Sequence, residues 1–238
     1  FSEGWGNGWS GIALGRSNYV DSVGAQQARG GNVNLSAGPA SNPGWYREGS
    51  IQSIFWNLNQ QVGFKPIHDA MTGILFRSGA PVSSIHPFAA AFNATAPGSA
   101  SALAGLLAGQ NISTAANDPY GDQETNSGGS PTVSGVLPMY GAAATVPVAT
   151  RACVSNVAGN DNKLGSFAYL RFTALTNRDY QFTVNGGPVG ANPDFDIFRG
   201  GLVNRSSNKV SLGAGDYVLA VSDLNNSGST TCFNVSIQ

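Results

Sequence analysis

Tyr180-Gln181-Phe182-Thr183-Val184-Asn185-Gly186-Gly187 alternates aromatic or aliphatic residues with polar ones, then stops at Asn-Gly-Gly. Period-two alternation ended by Asn-Gly describes a strand with one buried face that runs into a tight turn. The neighbouring stretches repeat the pattern. Phe167, Tyr169 with Leu170, and Phe172 precede a turn at Thr176-Asn177-Arg178. Further strands are expected at residues 195–198, 209–212, 216–222 and 231–237. Short alternating runs with turn signals between them predict an antiparallel β-sandwich or small barrel over residues 148–238. The chain has two cysteines, Cys153 and Cys232, and both fall in this region. Their spacing matches no metal motif, so they are expected to pair and tie the end of the β domain to its beginning.

Upstream the period changes. Between residues 110 and 147 the composition turns to Asn, Asp, Gly, Thr and Pro, which predicts a linker or an extended strap lying on a surface. Before it, Ile51, Ile54, Phe55 and Leu58 recur at helical spacing over residues 47–61, with Gly63 as a stop. Pro66 opens the next helix, which places Ile67, Ala70, Met71, Ile74 and Leu75 on one face. Ser83 or Ser84 caps a helix over about residues 85–94, and residues 99–108 form another. Residues 15–45 read as a long polar connection. Residues 2–14 form a helix in spite of Gly4, Gly6, Gly8 and Gly11, whose number implies close backbone approach to a neighbour. The expected fold class is therefore α + β in two domains: a mainly helical part over residues 1–109, the linker or strap, and the β-sandwich.

Composition narrows the function classes. Only 11% of the 238 residues are charged and the formal net charge is −1, so there is no electrostatic footprint for nucleic acid or anionic lipid. No apolar run reaches the roughly 20 residues of a membrane span. Few lysines and a cysteine pair suggest a secreted or periplasmic protein. The histidines are His68 and His86 alone, and H-E-x-x-H, C-x-x-C and Gly-x-Ser-x-Gly are all absent. Ser83 and Ser84 lie near His86, but serine catalysis also needs a base held by an orienting acid.

The opening Phe1-Ser2-Glu3-Gly4-Trp5-Gly6-Asn7 resembles the third-ligand helix of gluzincin zinc peptidases, above all the fungalysin-like group. That group has Glu-Gly-Trp, a small residue and Asp at this place. Gly49-Ser50-Ile51-Gln52-Ser53-Ile54-Phe55-Trp56-Asn57-Leu58, followed by Gly63-Phe64, is similar to the group's helix that begins Gly-Glu-Val-Trp-Ala, and residues 66–77 resemble its next helix. The resemblance implies that Glu3 is a zinc ligand, completing a site whose H-E-x-x-H helix lies in a missing N-terminal half of the catalytic domain. It places Asn7 where the family has an aspartate that orients a ligating histidine. Tyr46 falls where many gluzincins have an oxyanion-stabilising histidine, and a phenol donates the same kind of hydrogen bond.

Asn192-Pro193-Asp194-Phe195-Asp196-Ile197 and Gly213-Ala214-Gly215-Asp216-Tyr217-Val218 resemble the paired-acid strand and the Gly-x-Tyr strand of bacterial pre-peptidase C-terminal β-sandwiches. Asp194 and Asp196 alternate onto one strand face, where calcium binding with loop carbonyls competes with an ordinary exposed polar face. The implied protein is the C-terminal portion of a secreted zinc peptidase acting on peptide or protein substrates. Zinc belongs to the parent protein, and this chain alone is expected to be inactive. The alternative is a non-catalytic binding or secretion module, with the β-sandwich docking to a protein or polysaccharide.

Overall fold

The computed structural model describes residues 1–80, 82–128, 137–155, 165–226 and 230–238. The chain forms two units: Phe1–Arg77 with Ser83–Asp118, and Ser78–Val82 with Pro119–Gln238. Together they make an α + β protein, helical first and then a β-sandwich.

The first unit is built around α2 (Glu48–Val62), whose Ile51, Ile54, Phe55 and Leu58 are fully buried and whose Ser50, Gln52 and Ser53 are also buried. Burial on more than one face makes it a central helix. Helix α1 (Ser2–Leu14) lies against it through glycine. A Cβ on Gly4 would sit 2.7 Å from both the Glu48 carbonyl oxygen and Ile51 Cβ, and one on Gly8 would sit 3.2 Å from Gln52 O and Phe55 Cβ. A Cβ on Gly11 would meet Trp56 at 3.2 Å. Positions 4, 8 and 11 are one helical face, and only bare backbone allows this approach. Gly6 points elsewhere and would meet nothing within 4 Å. Gly15, at φ 63°, closes the helix: its N–H reaches Ile12 O at 3.3 Å and that of Arg16 reaches Gly11 O at 3.0 Å, a Schellman cap.

Two expectations for this unit change. Residues 15–45 are not an unstructured connection, because β1 (Asn18–Val23) and β2 (Arg29–Asn34) pair as an antiparallel hairpin. Nearly every residue of both strands is exposed, so no apolar alternation marked it. The helix expected through residue 77 breaks at Gly73, giving α3 (Phe64–Thr72) and α4 (Ile74–Arg77). The extended backbone at Gly73 turns Ile74 and Leu75 out to 74% and 51% exposure, although helical spacing had placed them inside. In α5 (Ile85–Thr95), Ser84 is the N-cap and accepts from His86 N at 3.3 Å. Helix α6 (Ala100–Gly109) buries Leu103 and Leu107.

The second unit is an antiparallel β-sandwich of β3 (Ala144–Thr145), β4 (Val148–Val154), β5 (Ala168–Ala174), β6 (Arg178–Asn185), β7 (Pro193–Phe198), β8 (Leu202–Arg205), β9 (Lys209–Leu212), β10 (Gly215–Asp223) and β11 (Thr231–Ile237). One sheet runs β3-β5-β10-β7-β8 and the other β4-β11-β6-β9, and the sole parallel pairing among the described residues is β3 with β5. Phe172, Tyr180, Phe182, Tyr217, Leu219, Phe233 and Ile237 fill the space between them. Tyr180 and Tyr217 each donate a hydroxyl hydrogen bond to a carbonyl four residues back, Thr176 O at 2.8 Å and Gly213 O at 2.9 Å. These bonds let buried phenols pin the turns that lead into β6 and β10. Cys153 and Cys232 face each other across β4 and β11 and form a disulfide.

The described part of residues 119–147 packs within this second unit as a strap; residues 129–136 lie outside the described residues. Arg171 of β5 holds it. The guanidinium lies 4.0 Å over the Tyr120 ring, donates to both Asp122 carboxylate oxygens at 3.0 Å, and bonds Gly141 O through Nε. Tyr140 packs 5.0 Å from Tyr169, whose phenol is pushed up to about 12 by burial, so both rings serve as neutral packing groups.

The glycine contact yields a signed pair of substitutions. Gly4→Ala forces α1 off α2 and is expected to cost about 1–3 kcal/mol. Gly6→Ala, in open space, is expected to gain about 0.5–1 kcal/mol from helix propensity. Urea unfolding of the two variants reads the difference, and equal effects would show that α1 does not rest on α2. Separately, Cys153→Ala with Cys232→Ala is expected to cost about 2–5 kcal/mol, read as a lowered midpoint for loss of β-sheet signal.

Candidate functional site

The close approach of α1 to α2 brings two acid–amide pairs together, each spaced one helical turn apart: Glu3 with Asn7, and Glu48 with Gln52. Glu3 and Glu48 lie in the first turns of their helices, where the helix dipole favours a carboxylate. Glu3 is exposed, and its carboxylate makes no hydrogen bond or ion pair among the described residues. Asn7 is buried and donates through Nδ2 to Glu48 Oε1 at 2.6 Å and to Gln52 Oε1 at 3.3 Å.

That pairing fixes the Asn7 amide. An ionised carboxylate only accepts hydrogen bonds, so the NH2 end must face Glu48. Its Oδ1 is therefore turned away and accepts nothing among the described residues. An aspartate at position 7 would set a second carboxylate against Glu48, so an amide is the side chain this neighbour permits. The sequence singles out Glu3 and Asn7 and offers Glu48, with Arg47, as either a cleft neighbour or a solvated helix-start pair, but it does not place Glu48 against Asn7. The partner lies 41 positions along the chain, and only the packed helices bring it near.

Tyr46 stands just ahead of α2 in a turn held by two bonds, Arg47 N to Gly44 O at 3.0 Å and Gly44 N to Ser50 Oγ at 3.0 Å. Its hydroxyl donates to Asn42 O at 3.5 Å, and its half-buried ring lies edge-on to buried Trp45 at 6.0 Å. Trp45 in turn lies 5.6 Å from the His86 ring, which is buried at the start of α5. His68 is exposed on α3, with Nδ1 3.4 Å from Asp69. Trp5 packs edge-on against Phe55 at 4.6 Å, and Trp9 is 40% exposed against Phe64. Among the described residues, no group of three or more His, Cys, Asp or Glu side chains is placed to hold a metal ion.

In the sandwich, Asp194 and Asp196 share the outer face of β7, as alternation requires. Asp194 accepts from Ser206 Oγ and from Phe195 N, and Asp196 lies 3.7 Å from the Arg205 guanidinium. Both carboxylates thus have protein partners.

No protein-family model and no curated protein matches the sequence. Solved structures similar to parts of the chain include the pre-peptidase C-terminal domain of a collagenase from Bacillus anthracis, at 11% identity over 40% of this chain and 92% of that one, with a TM-score of 0.29. Another is PliG of Salmonella Typhimurium, a periplasmic inhibitor of g-type lysozyme, at 15% identity over 41% of this chain and 99% of that one, TM-score 0.28. The Aeromonas hydrophila PliG has 17% identity over 40% and 97%, TM-score 0.26. The β-sandwich assignment rests on the strand order and on the core shared by the two sheets.

Asn7→Asp tests the carboxylate–amide lock. With two carboxyls in contact, one takes up a proton on folding and its folded pKa rises above the unfolded value. The folded state then binds more protons than the unfolded state, so stability falls as pH rises above about 4–5. The expected result is a deficit of about 1–3 kcal/mol at pH 7 that shrinks toward pH 4.5 in denaturant melts. Asn7→Ala is expected to show a deficit with little dependence on pH.

Proposed function

We propose that this chain is the C-terminal portion of a secreted zinc-dependent peptidase, in which Glu3 is a zinc ligand and the β-sandwich is a pre-peptidase C-terminal-like accessory domain. The single observation that carries this reading is the α1–α2 pair. It leaves an exposed carboxylate at position 3 without hydrogen-bond partners among the described residues and, one turn on, an amide oxygen at position 7 with its rotation fixed. A metal-binding wall needs that combination: a carboxylate to ligate, and an acceptor that orients a neighbouring imidazole through its N–H. The order of elements that follows, a Trp-Tyr turn and then the central helix, supports the reading. So does the position of the two strand motifs of the sandwich, which lie on paired strands β7 and β10.

One carboxylate is not a catalytic site. The chain has no H-E-x-x-H and its described residues hold no metal cluster, so on this reading the remaining ligands and the general base would come from another segment. Bound zinc would supply a polarised water for attack on a peptide carbonyl. In that setting Glu3 contributes a ligating oxygen and Asn7 Oδ1 accepts from the N–H of a ligating histidine. Tyr46 donates its hydroxyl to the oxyanion that develops on the carbonyl.

Two measurements test this. The isolated chain is expected to carry substoichiometric zinc by elemental analysis and to cleave no casein. In the full polypeptide, Glu3→Gln is expected to abolish stoichiometric zinc and peptide hydrolysis while leaving the circular dichroism unchanged. Tyr46→Phe is expected to lower kcat by about 10²–10³-fold with zinc retained. Full zinc and activity in the Glu3→Gln protein, or in the isolated chain, would overturn the assignment.

A further inference from the structure

A second site lies on the β-sandwich, at the outer face of the sheet β4-β11-β6-β9, and it is independent of the zinc reading. Strand register sets Arg151, Asn234 and Asn185 side by side across β4, β11 and β6, and Ala149, Ser236 and Thr183 as the next row. Residues between these positions, such as Phe233, Val235 and Ile237, point into the core, so the two rows face outward together. These six residues, together with Thr150 and Val235, line an open depression of about 430 Å³. Ala149 is the reason it is hollow: a methyl stands where the other positions carry longer side chains.

The Arg151 guanidinium sets this face apart. Among the described residues, every other cation of the sandwich has a partner. Arg171 holds Asp122, Arg205 faces Asp196, Lys209 bonds Asp179 at 2.9 Å, and Arg178 and Arg199 lie over Tyr180 and Tyr217. Arg151 is exposed and makes no hydrogen bond, ion pair or ring contact among them. The floor beneath it is stiff. The Cys153–Cys232 disulfide staples β4 to β11 one row from Arg151 and Asn234. The Asn234 amide rests against Gly186, where a Cβ would lie 3.2 Å from Nδ2. A site held this way loses little entropy when a ligand binds.

We propose that this depression binds a carboxylated saccharide, a hexuronate unit of an acidic polysaccharide, with Arg151 on the carboxylate and the amides and hydroxyls on the ring hydroxyls. The chemistry decides among ligands. One guanidinium matches one carboxylate as a bidentate fork. The remaining polar side chains of the lining, two amides and three hydroxyls, are neutral and can both donate and accept. They are spaced by about 4.8 Å between strands and about 6.7 Å along them, the scale of hydroxyls around and between sugar rings. A phosphorylated or sulfated polyanion calls for several cations, and a neutral sugar for an aromatic plate. Neither lines this face. A peptide carboxyl terminus would also need an apolar pocket for its last side chain, and the depression has none.

The test is a titration of the full chain with trigalacturonate, followed by NMR. The expected result is millimolar binding that shifts the side-chain signals of Arg151, Asn185 and Asn234, weakens with added salt, and falls at least tenfold in Arg151→Gln. That exposed substitution leaves the remaining spectrum in place. Four outcomes would each overturn the proposal: equal binding of neutral trigalactose, undiminished binding by Arg151→Gln, preferential binding of a short peptide through its carboxyl terminus, or no shifts at tens of millimolar ligand. None of these outcomes bears on Glu3 or zinc.

Discussion

The contact of α1 with α2 through Gly4, Gly8 and Gly11 is the constraint on which the first unit depends. Glycine is a poor helix former, and several in thirteen residues would leave an isolated α1 unstable. Packing reverses that disadvantage, because a helix without side chains on one face approaches its neighbour to backbone distance. At that distance the short Asn7 side chain reaches Glu48 and Gln52. A helix with alanine or leucine on the same face would stand farther off, and the polar cluster would not form. The composition that weakens the helix locally is therefore what assembles the candidate site.

The second unit solves its packing differently. Its core is aromatic and aliphatic, and its loops are held by phenol hydroxyls bonded to carbonyls four residues upstream. Each of these tyrosines also carries an arginine over its ring, Arg178 on Tyr180 and Arg199 on Tyr217. Arg171 does comparable work on the other side of β5, gathering Tyr120, Asp122 and Gly141 and so converting a polar segment into a fixed strap. A cation of this kind stacks and hydrogen-bonds at once, which a lysine does not do.

What could be read from sequence follows from which faces are buried. The strands around Tyr180 and Phe182 and the helix around Ile54 and Phe55 announced themselves because one face is apolar and the other is not. The β1–β2 hairpin gave no such signal, since its strands are exposed on both faces and are held by backbone pairing. The apolar spacing of Ile74 and Leu75 continues the helical pattern across Gly73, whose extended backbone breaks the helix and leaves both residues exposed. At the candidate site, Glu3 and Asn7 were legible as one helical face. Glu48 was not, because a pairing between helices has no local signature. The row of Arg151, Asn234 and Asn185 was illegible for the same reason: alternation says which residues face outward, but strand order alone makes them neighbours.

An amide rather than an aspartate at position 7 has a physical reason in its neighbour. An aspartate in that place would lie against Glu48 at hydrogen-bond distance, and two ionised carboxylates cannot share such a contact. With an amide, Glu48 becomes an acceptor that orients it. The side-chain oxygen left over remains able to accept a hydrogen bond. The carboxylate of this cluster sits one group farther out, at Glu48. The amide on α1 and the carboxylate on α2 are thus one feature: Glu48 decides which end of Asn7 faces it, and the orientation of the other end follows.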